Sequence, residues 1–233
     1  MKTRSKEPEL MDDHTLPDDQ LQAALNDISL ANKYLGGNNI TINGLQYFFK
    51  KYSQSKYTIV DMGCGDGEVL REVARYCRKK KINVNLIGVD LNAKSITLAK
   101  NNSKAFPEIR FLQQDILQLK SEDLHCDIVT STLTMHHFED DQILDFLKHF
   151  MRLSKLGVVI NDLHRNRLAA MLFQPLSRIF MKTHVARHDG LVSIQRAFKK
   201  KELQLFSKKL NLTSYQIRWR WAFRYLWIID SKA

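Results

Sequence analysis

The sequence contains few cysteines, the residues on which disulfide-bonded proteins and many structural zinc sites depend. Its 233 residues include 3 cysteines (Cys64, Cys77 and Cys126), an odd number, and no two of them form a C-x-x-C pair. Structural zinc sites usually show closely paired cysteines, and disulfide frameworks need an even number of them. We therefore expect no metal site, three reduced thiols and a cytoplasmic protein.

Long apolar runs are also missing. No stretch approaches the ~20 consecutive apolar residues that a transmembrane helix needs. The first ten residues, MKTRSKEPEL, have no apolar centre of the kind that defines a signal peptide. Hydrophobic residues make up 44% of the chain and charged residues 26%, which is typical of a globular protein with a substantial core.

Acidic residues are scarce in the last third of the chain. Residues 151–233 contain 17 Lys/Arg and 4 Asp/Glu, while the net charge of the whole chain is +11. A basic region of this kind can bind nucleic acid, an anionic membrane surface or an acidic substrate, and an ordinary solvated surface explains the same counts. We favour the solvated surface and keep the three binding interpretations as alternatives.

One stretch predicts a strand, a glycine-rich turn and a helix in direct succession. The β-branched residues 58–60 indicate a short buried strand, and Gly63, Gly65 and Gly67 follow at alternate positions. Apolar residues at helical spacing begin at Val69. Glycines permit positive φ and let a ligand approach the backbone closely, and the helix start offers free N–H groups. A tight structural turn explains the same stretch, so further signals are needed.

Two carboxylates supply such signals. Asp90 and Asp115 each end an apolar run that predicts a further strand. In an open α/β sheet, the carboxyl ends of the parallel strands form the edge at which ligands bind. Asp90 also follows Gly67 at about the distance at which an acidic residue binds a ribose hydroxyl. The ordered set of turn and two acids predicts a nucleotide-type site.

These motifs resemble those of the class I S-adenosylmethionine-dependent methyltransferases. The matching segments are Asp61-Met-Gly-Cys-Gly-Asp-Gly67, Gly88-Val-Asp-Leu91, Gln114-Asp-Ile116 and Cys126-Asp-Ile-Val-Thr130. The resemblance extends over roughly residues 20–233. A NAD(P)-dependent oxidoreductase would have G-x-G-x-x-G, whereas here the third glycine comes one position early and Glu68 occupies the expected place.

The resemblance implies that the glycine turn binds the methionine part of S-adenosylmethionine. Gly63 and Gly65 would lie against it, with Gly67 completing the turn. Asp61 would support the amino group of the cofactor or the turn itself. Thr132, which follows the fourth strand, would be a neighbour of the cofactor.

The resemblance also implies the residues around the nucleoside. Asp90 would accept hydrogen bonds from both ribose hydroxyls, and Asp115 would accept one from the adenine amino group. Leu91 and Ile116 would enclose the adenine ring. Carboxylates are acceptors, so these residue types suit hydroxyl and amino donors.

Two adjacent histidines follow the predicted fourth strand. His136 and His137 are candidate general bases, because imidazole titrates near neutral pH. A structural role is favoured, since methyltransferases of many specificities have a histidine here. Asp162 and His164, at the end of the fifth strand, are placed where a substrate would reach them, and helix capping with loop hydrogen bonds is the favoured explanation.

The chain divides into an arm, a helical cap and a main domain. Residues 1–16 indicate a flexible arm, and residues 17–55 indicate two cap helices, the second starting near Thr41. Residues 56–233 form the methyltransferase domain, with a helical insertion at 166–191 that is apolar on a broad face. This insertion predicts a lid over a hydrophobic substrate, extra core or an amphipathic membrane contact, and Pro175 should break or bend it.

The expected fold is a Rossmann-like α/β sandwich. Its seven-stranded sheet is mostly parallel and has an antiparallel C-terminal strand. Three further motifs resemble bacterial methyltransferases associated with type III polyketide and related aromatic pathways: Asn161-Asp-Leu-His-Arg165, His188-Asp-Gly-Leu-Val-Ser193 and Arg196-Ala-Phe198.

This narrower resemblance implies methyl transfer from S-adenosylmethionine to oxygen or carbon of a small lipophilic aromatic, such as a phenol or quinone. The alternatives are an RNA or protein methyltransferase that uses the basic last third, a NAD(P)-dependent oxidoreductase and a non-catalytic cofactor-binding module. The oligomeric state and the pathway are open.

Overall fold

A computed structural model describes residues 1–13, 15–119 and 124–232, which form eight α-helices and seven β-strands. His14 of the predicted arm and Ala233, the last residue of the family resemblance, lie outside the described residues. The strands are β1 (Tyr57–Met62), β2 (Val84–Asp90), β3 (Ile109–Gln113), β4 (Cys126–Thr132), β5 (Ser154–Leu163), β6 (Tyr215–Arg220) and β7 (Arg224–Asp230). The helices are α1 (Asp18–Tyr34), α2 (Gly37–Lys51), α3 (Glu68–Lys80), α4 (Ala93–Asn102), α5 (Asp140–Leu153), α6 (Arg167–Phe180), α7 (His184–Arg196) and α8 (Lys200–Lys209).

The strands of the described chain form one seven-stranded sheet in the order β3-β2-β1-β4-β5-β7-β6. Neighbouring strands are parallel from β3 through β5, and β7 runs antiparallel to both β5 and β6. This arrangement confirms the predicted Rossmann-like fold with its antiparallel C-terminal strand. The order reverses between β1 and β4, and ligands of open α/β sheets bind at such a reversal, beyond the carboxyl ends of the strands.

The core covers both faces of the sheet. The central strands are buried on both sides, so β1 and β4 show no alternation of buried and exposed residues. One face packs on α2 and α3 and the other on α5 and α8, through the fully buried side chains of Phe48, Leu70, Phe150 and Phe206. The positions of the strand ends are therefore set by a close-packed interior.

The second cap helix begins earlier than the sequence indicated. Glycine is a poor helix former, so the pattern pointed to Thr41, but α2 starts at Gly37. The Gly37 carbonyl accepts a 2.9 Å hydrogen bond from Asn161 Nδ2 of β5. A Cβ at Gly37 would come within 3.0 Å of the Arg224 guanidinium, so the close approach of helix and sheet needs glycine here. Tertiary contacts outweigh the local preference.

The insertion is more regular than Pro175 suggested. Helix α6 continues through this proline, and α7 extends past residue 191. Phe173 of α6 packs against Gly190 of α7, where an added Cβ would lie 2.2 Å from the ring. This packing stabilises α6 despite the hydrogen bond that proline cannot donate. None of the helices in the described part of the chain has both the length and the apolar character needed to cross a bilayer.

Candidate active site

A cavity of about 660 Å³ lies where the sheet order reverses. Its wall combines the carboxyl ends of β1, β2 and β4 with the cap helix α1 and the insertion helices α6 and α7. Away from the strand ends the lining is largely apolar and includes Leu25, Ile28, Leu172, Phe173, Phe180 and Trp221. Its volume is within the usual range of ligand sites, and its apolar wall with few polar groups is typical of them.

The glycine turn after β1 presents one open glycine to this cavity. Gly63, Gly65 and Gly67 all have positive φ, of 74°, 53° and 77°. A Cβ at Gly63 would lie 2.3 Å from Thr134, and one at Gly67 would lie 2.7 Å from Phe111. A Cβ at Gly65 would meet nothing within 4 Å. Gly63 and Gly65 line the cavity and Gly67 does not, so Gly67 serves the packing of the turn.

Asp90 at the end of β2 organises the turn. One of its carboxylate oxygens accepts a 2.9 Å hydrogen bond from the backbone N–H of Gly65, and the other accepts one of 2.9 Å from that of Asn92. Burial raises the pKa of Asp90, and these backbone bonds oppose the shift. Asp90 faces the cavity, so the same carboxylate that shapes the turn is available to donors of a ligand.

Asp61 in β1 is a buried acid beside this turn. It is 1% exposed and accepts a 2.7 Å hydrogen bond from the Thr130 hydroxyl. Burial raises the pKa of Asp61 to about 7, and the Thr130 bond offsets only part of that effect. A buried carboxylate that lines a cavity favours a cationic ligand, because a positive charge would replace the lost solvation.

The predicted adenine pocket is assembled only in part. Leu91 and Ile116 line the cavity, and Leu91 is 54% exposed. Asp115 is not among the lining residues. It caps the short 3-10 turn that follows, accepting from Leu117 N and Gln118 Nε2 at 2.9 and 3.1 Å.

Thr132 at the end of β4 ties the cavity floor to the cap. Its hydroxyl lies 2.9 Å from that of Thr41 in α2, and Asn161 Nδ2 donates to the same Thr41 hydroxyl at 3.0 Å. Thr132 lines the cavity and Asn161 is fully buried below it. The cap helix is thus hydrogen-bonded to the ends of β4 and β5.

The histidine pair lies in a 3-10 turn, Met135–His137, just past β4. His136 is 2% exposed, and its Nδ1 lies 2.7 Å from Asp162 Oδ1 at the end of β5. Burial disfavours the charged imidazole, but the nearby carboxylates of Asp162 and Glu9 outweigh it and raise the pKa of His136 to about 10. Asp162 is paired with His136, and His164 does not line the cavity, so neither residue is placed to contact a substrate there.

Two acids of the N-terminal segment reach the same histidines. Glu9 is 4% exposed, and its two oxygens lie 3.4 Å from His136 Nε2 and 3.6 Å from His137 Nε2. The Ser193 hydroxyl donates to Glu9 at 2.6 Å. Asp12 Oδ2 lies 3.3 Å from His137 Nδ1. Sequence reasoning missed both acids, because contacts over more than 120 positions leave no local pattern.

Residues 1–13 are therefore packed where the sequence indicated a loose arm. Arg4 donates to the carbonyl of His136 at 2.9 Å, and the Asp189 carboxylate accepts from the backbone N–H groups of Leu10 and Met11 at 2.8 and 2.9 Å. The charge-rich composition suggested flexibility, but the charges are used in long-range hydrogen bonds. We call residues 1–13 the N-terminal strap.

The chain matches a known domain family. Residues 59–157 match the family described as "Methyltransferase domain". A curated relative, the putative methyltransferase YqeM of Bacillus subtilis (strain 168), is 28% identical over 121 residues. That alignment covers 51% of this chain and 47% of the relative, so the chain spans about half the length of the curated relative it matches.

Solved structures share the fold. The plantazolicin methyltransferase BpumL in complex with SAH superimposes with a TM-score of 0.69 at 14% identity, covering 93% of this chain and 91% of that one. Magnesium protoporphyrin IX methyltransferase (ChlM) from Synechocystis PCC 6803 with bound SAH gives a TM-score of 0.58 at 14% identity, covering 84% and 83%. The CMeT domain of the citrinin polyketide synthase gives 0.61 at 12% identity, covering 80% and 50%.

Fold, motifs and family model agree. At these identities the structural neighbours establish the fold alone, while the family model identifies the part of the chain that contains the glycine turn and the strand-end acids. The resemblance predicted from the motifs is confirmed. Residues 59–157 match the methyltransferase domain model, and the chain shares the fold of the solved class I S-adenosylmethionine-dependent methyltransferases.

Proposed function

We propose that this protein transfers the methyl group of S-adenosylmethionine to a small, lipophilic acceptor. The observation that carries the proposal is the single cavity into which the glycine turn and the strand-end acids open at one end and an apolar chamber opens at the other. Methyl transfer by in-line attack needs the acceptor and the sulfonium to be aligned in a space that excludes water. One shared cavity supplies such a space.

The cofactor end is supported by the groups around Gly65. The open face of Gly65 suits a ligand lying against the backbone, and Asp90 offers a carboxylate to ribose hydroxyls. Asp61 provides buried negative charge for the ammonium or sulfonium of the cofactor. Leu91 and Ile116 provide apolar surface for adenine. Gly67 would act through the packing of the glycine turn, whereas Asp115 caps the separate 3-10 turn after β3 and does not line the cavity.

The acceptor end is supported by its apolar lining and by the histidine pair. An aromatic acceptor would lie against Phe173, Phe180 and Trp221, with its polar atom directed to the histidines. A pKa near 10 keeps His136 protonated at neutral pH, so in this state it is not available as a base. His137 is half-buried and lines the cavity, so it is the better candidate to accept the proton of the acceptor.

Contact with a membrane surface is a specific part of the proposal. Five apolar side chains of α6 are exposed by 42% or more: Leu168, Met171, Leu172, Leu176 and Ile179. Two of them, Leu172 and Leu176, also line the cavity. Residues 166–188 contain no Asp or Glu, and Arg167, Arg178, Lys182 and Arg187 make this segment basic. An apolar face with basic flanks suits an anionic bilayer surface, from which a lipophilic acceptor would enter.

The first experiment is a calorimetric titration of the purified chain with S-adenosylhomocysteine, with NADH as the comparison ligand. We expect S-adenosylhomocysteine alone to bind. Asp90→Ala should weaken it by about 100-fold, since two hydrogen bonds to a charged group are lost. Asp115→Ala is the matched control, as this strand-end acid does not line the cavity. Binding of NADH alone, or of neither ligand to the folded protein, would overturn the cofactor assignment.

The second experiment identifies the acceptor. Transfer of labelled methyl from S-adenosylmethionine would be followed with phenols, quinols, a peptide mixture and total RNA as acceptors. Labelling of the small aromatics supports the proposal. Labelling confined to RNA or peptide would move the function to macromolecular methylation, and the basic last third of the chain would then be its binding surface.

A further inference from the structure

The two adjacent histidines direct the same nitrogen atom toward one carboxylate. His136 Nε2 and His137 Nε2 lie 3.4 and 3.6 Å from the two oxygens of Glu9. A ligand atom from each of the three residues lies within 4.8 Å of the other two. All three residues line the cavity at its acceptor end.

These contacts are too long for direct hydrogen bonds. An N–H···O bond is usually about 2.7–3.2 Å long, and His136 Nε2 is buried without a hydrogen-bond partner. Two ligand atoms that each lie about 2.0–2.1 Å from a tetrahedral zinc ion are roughly 3.4 Å apart. The spacing around Glu9 therefore matches atoms that share an ion better than atoms that share a proton.

The other nitrogen of each histidine already has an acidic neighbour. Asp162 lies 2.7 Å from His136 Nδ1, and Asp12 lies 3.3 Å from His137 Nδ1. Asp162 is itself oriented by the backbone N–H groups of His136 and Leu163. A carboxylate at Nδ1 fixes the tautomer that leaves Nε2 with a free lone pair and raises its basicity, which is the usual arrangement behind metal-bound histidine.

The charges of the cluster also call for a cation. Glu9, Asp12 and Asp162 bring three carboxylates around two imidazoles, and Glu9 and Asp162 are 4% and 2% exposed. Among the described residues no Lys or Arg forms a direct ion pair with these acids: Arg4 donates to Asp140 and to backbone carbonyls, and Arg196 to backbone carbonyls. Arg196 acts on Asp12, and the buried Arg224 on Asp162, only at longer range. Either protons on both imidazoles or a bound divalent ion must balance the buried negative charge.

We propose that Glu9, His136 and His137 bind one divalent transition-metal ion of the zinc class, with an open coordination position facing the cavity. Two histidines and one carboxylate with an open position form the ligand set of several catalytic zinc sites, and two-histidine, one-carboxylate sets also bind ferrous iron. The sequence-based expectation of no metal site considered cysteine spacing only and had no means of placing Glu9 beside the histidines.

A bound ion would explain how the N-terminal strap is held and where the acceptor binds. Glu9 would be the ligand that fastens the N-terminal strap over the acceptor end. With the ion bound, His137 is a ligand and no longer the base. A hydroxyl of the acceptor would bind at the open position, where the ion lowers its pKa, so that the proton is lost to solvent as the acceptor binds. The oxygen then attacks the methyl carbon, and the electron pair of the S–CH3 bond stays on sulfur. This use of the ion rests on the proposed function, whereas binding of the ion does not.

The test is metal binding by the full chain after treatment with a chelator and desalting. We expect one Zn²⁺ per chain by elemental analysis and calorimetry, and Co²⁺ should give the strong visible absorption of a tetrahedral site. Glu9→Gln and His137→Ala should each lower Zn²⁺ affinity by at least about 10-fold. His125→Ala, which removes an exposed histidine outside the cavity, should leave affinity unchanged.

Each outcome separates the metal site from the cofactor site. S-adenosylhomocysteine binding is measured on every variant as a check of folding. A wild-type protein that binds S-adenosylhomocysteine but no stoichiometric Zn²⁺ would overturn the metal site and leave the proposed function standing. Zn²⁺ affinity that is unaffected by Glu9→Gln and His137→Ala would also overturn it. Stoichiometric Zn²⁺ binding without S-adenosylhomocysteine binding would keep the metal site and overturn the proposed function.

Discussion

His136 Nδ1 lies 2.7 Å from Asp162 Oδ1, and this contact joins the turn after β4 to the end of the neighbouring strand β5. Both residues are almost completely buried, at 2% exposure each. The pair lies at the base of the cluster that also contains Glu9 and His137. The strength of this contact depends on the protonation of His136.

The free energy of unfolding should fall at alkaline pH because of His136. Asp162 and Glu9 raise the pKa of His136 from 6.5 to about 10. His137 is the other titratable group beside it. A raised pKa stabilises the folded state fully below pH 6.5, and this contribution is lost as pH rises toward 10. The slope from this residue is at most about 1.4 kcal/mol per pH unit. Urea unfolding of wild type and His136→Gln between pH 6.5 and 10, with chelator present, measures the difference. Parallel profiles would contradict the assignment.

Two glycines of the turn should respond differently to alanine. Gly65 needs only its positive φ, so Gly65→Ala should cost about 1–2 kcal/mol of stability, yet its new methyl group would project into the cofactor site and weaken S-adenosylhomocysteine binding at least about 10-fold. Gly67→Ala adds a collision with Phe111 at 2.7 Å and should cost about 3 kcal/mol. Thermal unfolding and calorimetry on both variants separate the two effects. If both variants lost S-adenosylhomocysteine affinity in the same proportion to their loss of stability, Gly65 would have no separate role in binding.

Asp61→Asn should stabilise the free protein while weakening the cofactor complex. The pKa of Asp61 is raised from 3.8 to about 7, so its favourable contribution is present below pH 3.8 and is lost as pH rises through 7. At pH 8 the uncharged amide removes a buried charge and should raise stability by about 1–2 kcal/mol. S-adenosylhomocysteine affinity of the wild type should rise through pH 7, whereas the variant should bind weakly with little pH dependence. Calorimetry at pH 6 and pH 8 decides the matter, and identical pH dependence would refute it.

Helix α2 should not tolerate alanine at Gly44. Alanine improves helix propensity by about 1 kcal/mol, but its Cβ would lie 2.3 Å from Val159 Cγ1 in β5. Overpacking of a close-packed core costs about 1–3 kcal/mol, and a contact of 2.3 Å belongs to the upper part of that range, so we expect a net loss of about 1–2 kcal/mol. The double variant with Val159→Ala should be more stable than the sum of the single effects predicts. Strict additivity in denaturant unfolding would show that the contact does not limit the approach of α2.

The exposed face of α6 should bind anionic vesicles. Met171 and Ile179 are 69% and 74% exposed, so replacing both by glutamate should change stability little. We expect sedimentation with vesicles of equal phosphatidylglycerol and phosphatidylcholine, reduced at least about 10-fold in Met171→Glu/Ile179→Glu. Leu205→Glu, at an apolar residue of α8 with 50% exposure, is the control. Equal sedimentation of both variants would remove α6 as the contact.

Local sequence carries the information for the elements and for half of the site. The glycines after β1 need positive φ, and the acid at the end of β2 follows an apolar run, so backbone preference and hydrophobic pattern suffice to place Gly65 and Asp90 at one sheet edge. The alternation in β6 likewise predicted the final hairpin with β7. These features depend on neighbours along the chain, which sequence reasoning can read.

Folding in three dimensions settles what neighbours along the chain do not encode. Asn161 of β5 donates a hydrogen bond to the Gly37 carbonyl at the start of α2, and the Asp115 carboxylate accepts from Leu117 and Gln118 of the following 3-10 turn. Glu9 becomes buried beside His136 only when the strap crosses the finished sheet. The energy of such contacts comes from burial and charge pairing between residues that are distant in sequence. The acceptor end, unlike the glycine turn, can therefore be identified only from the tertiary structure.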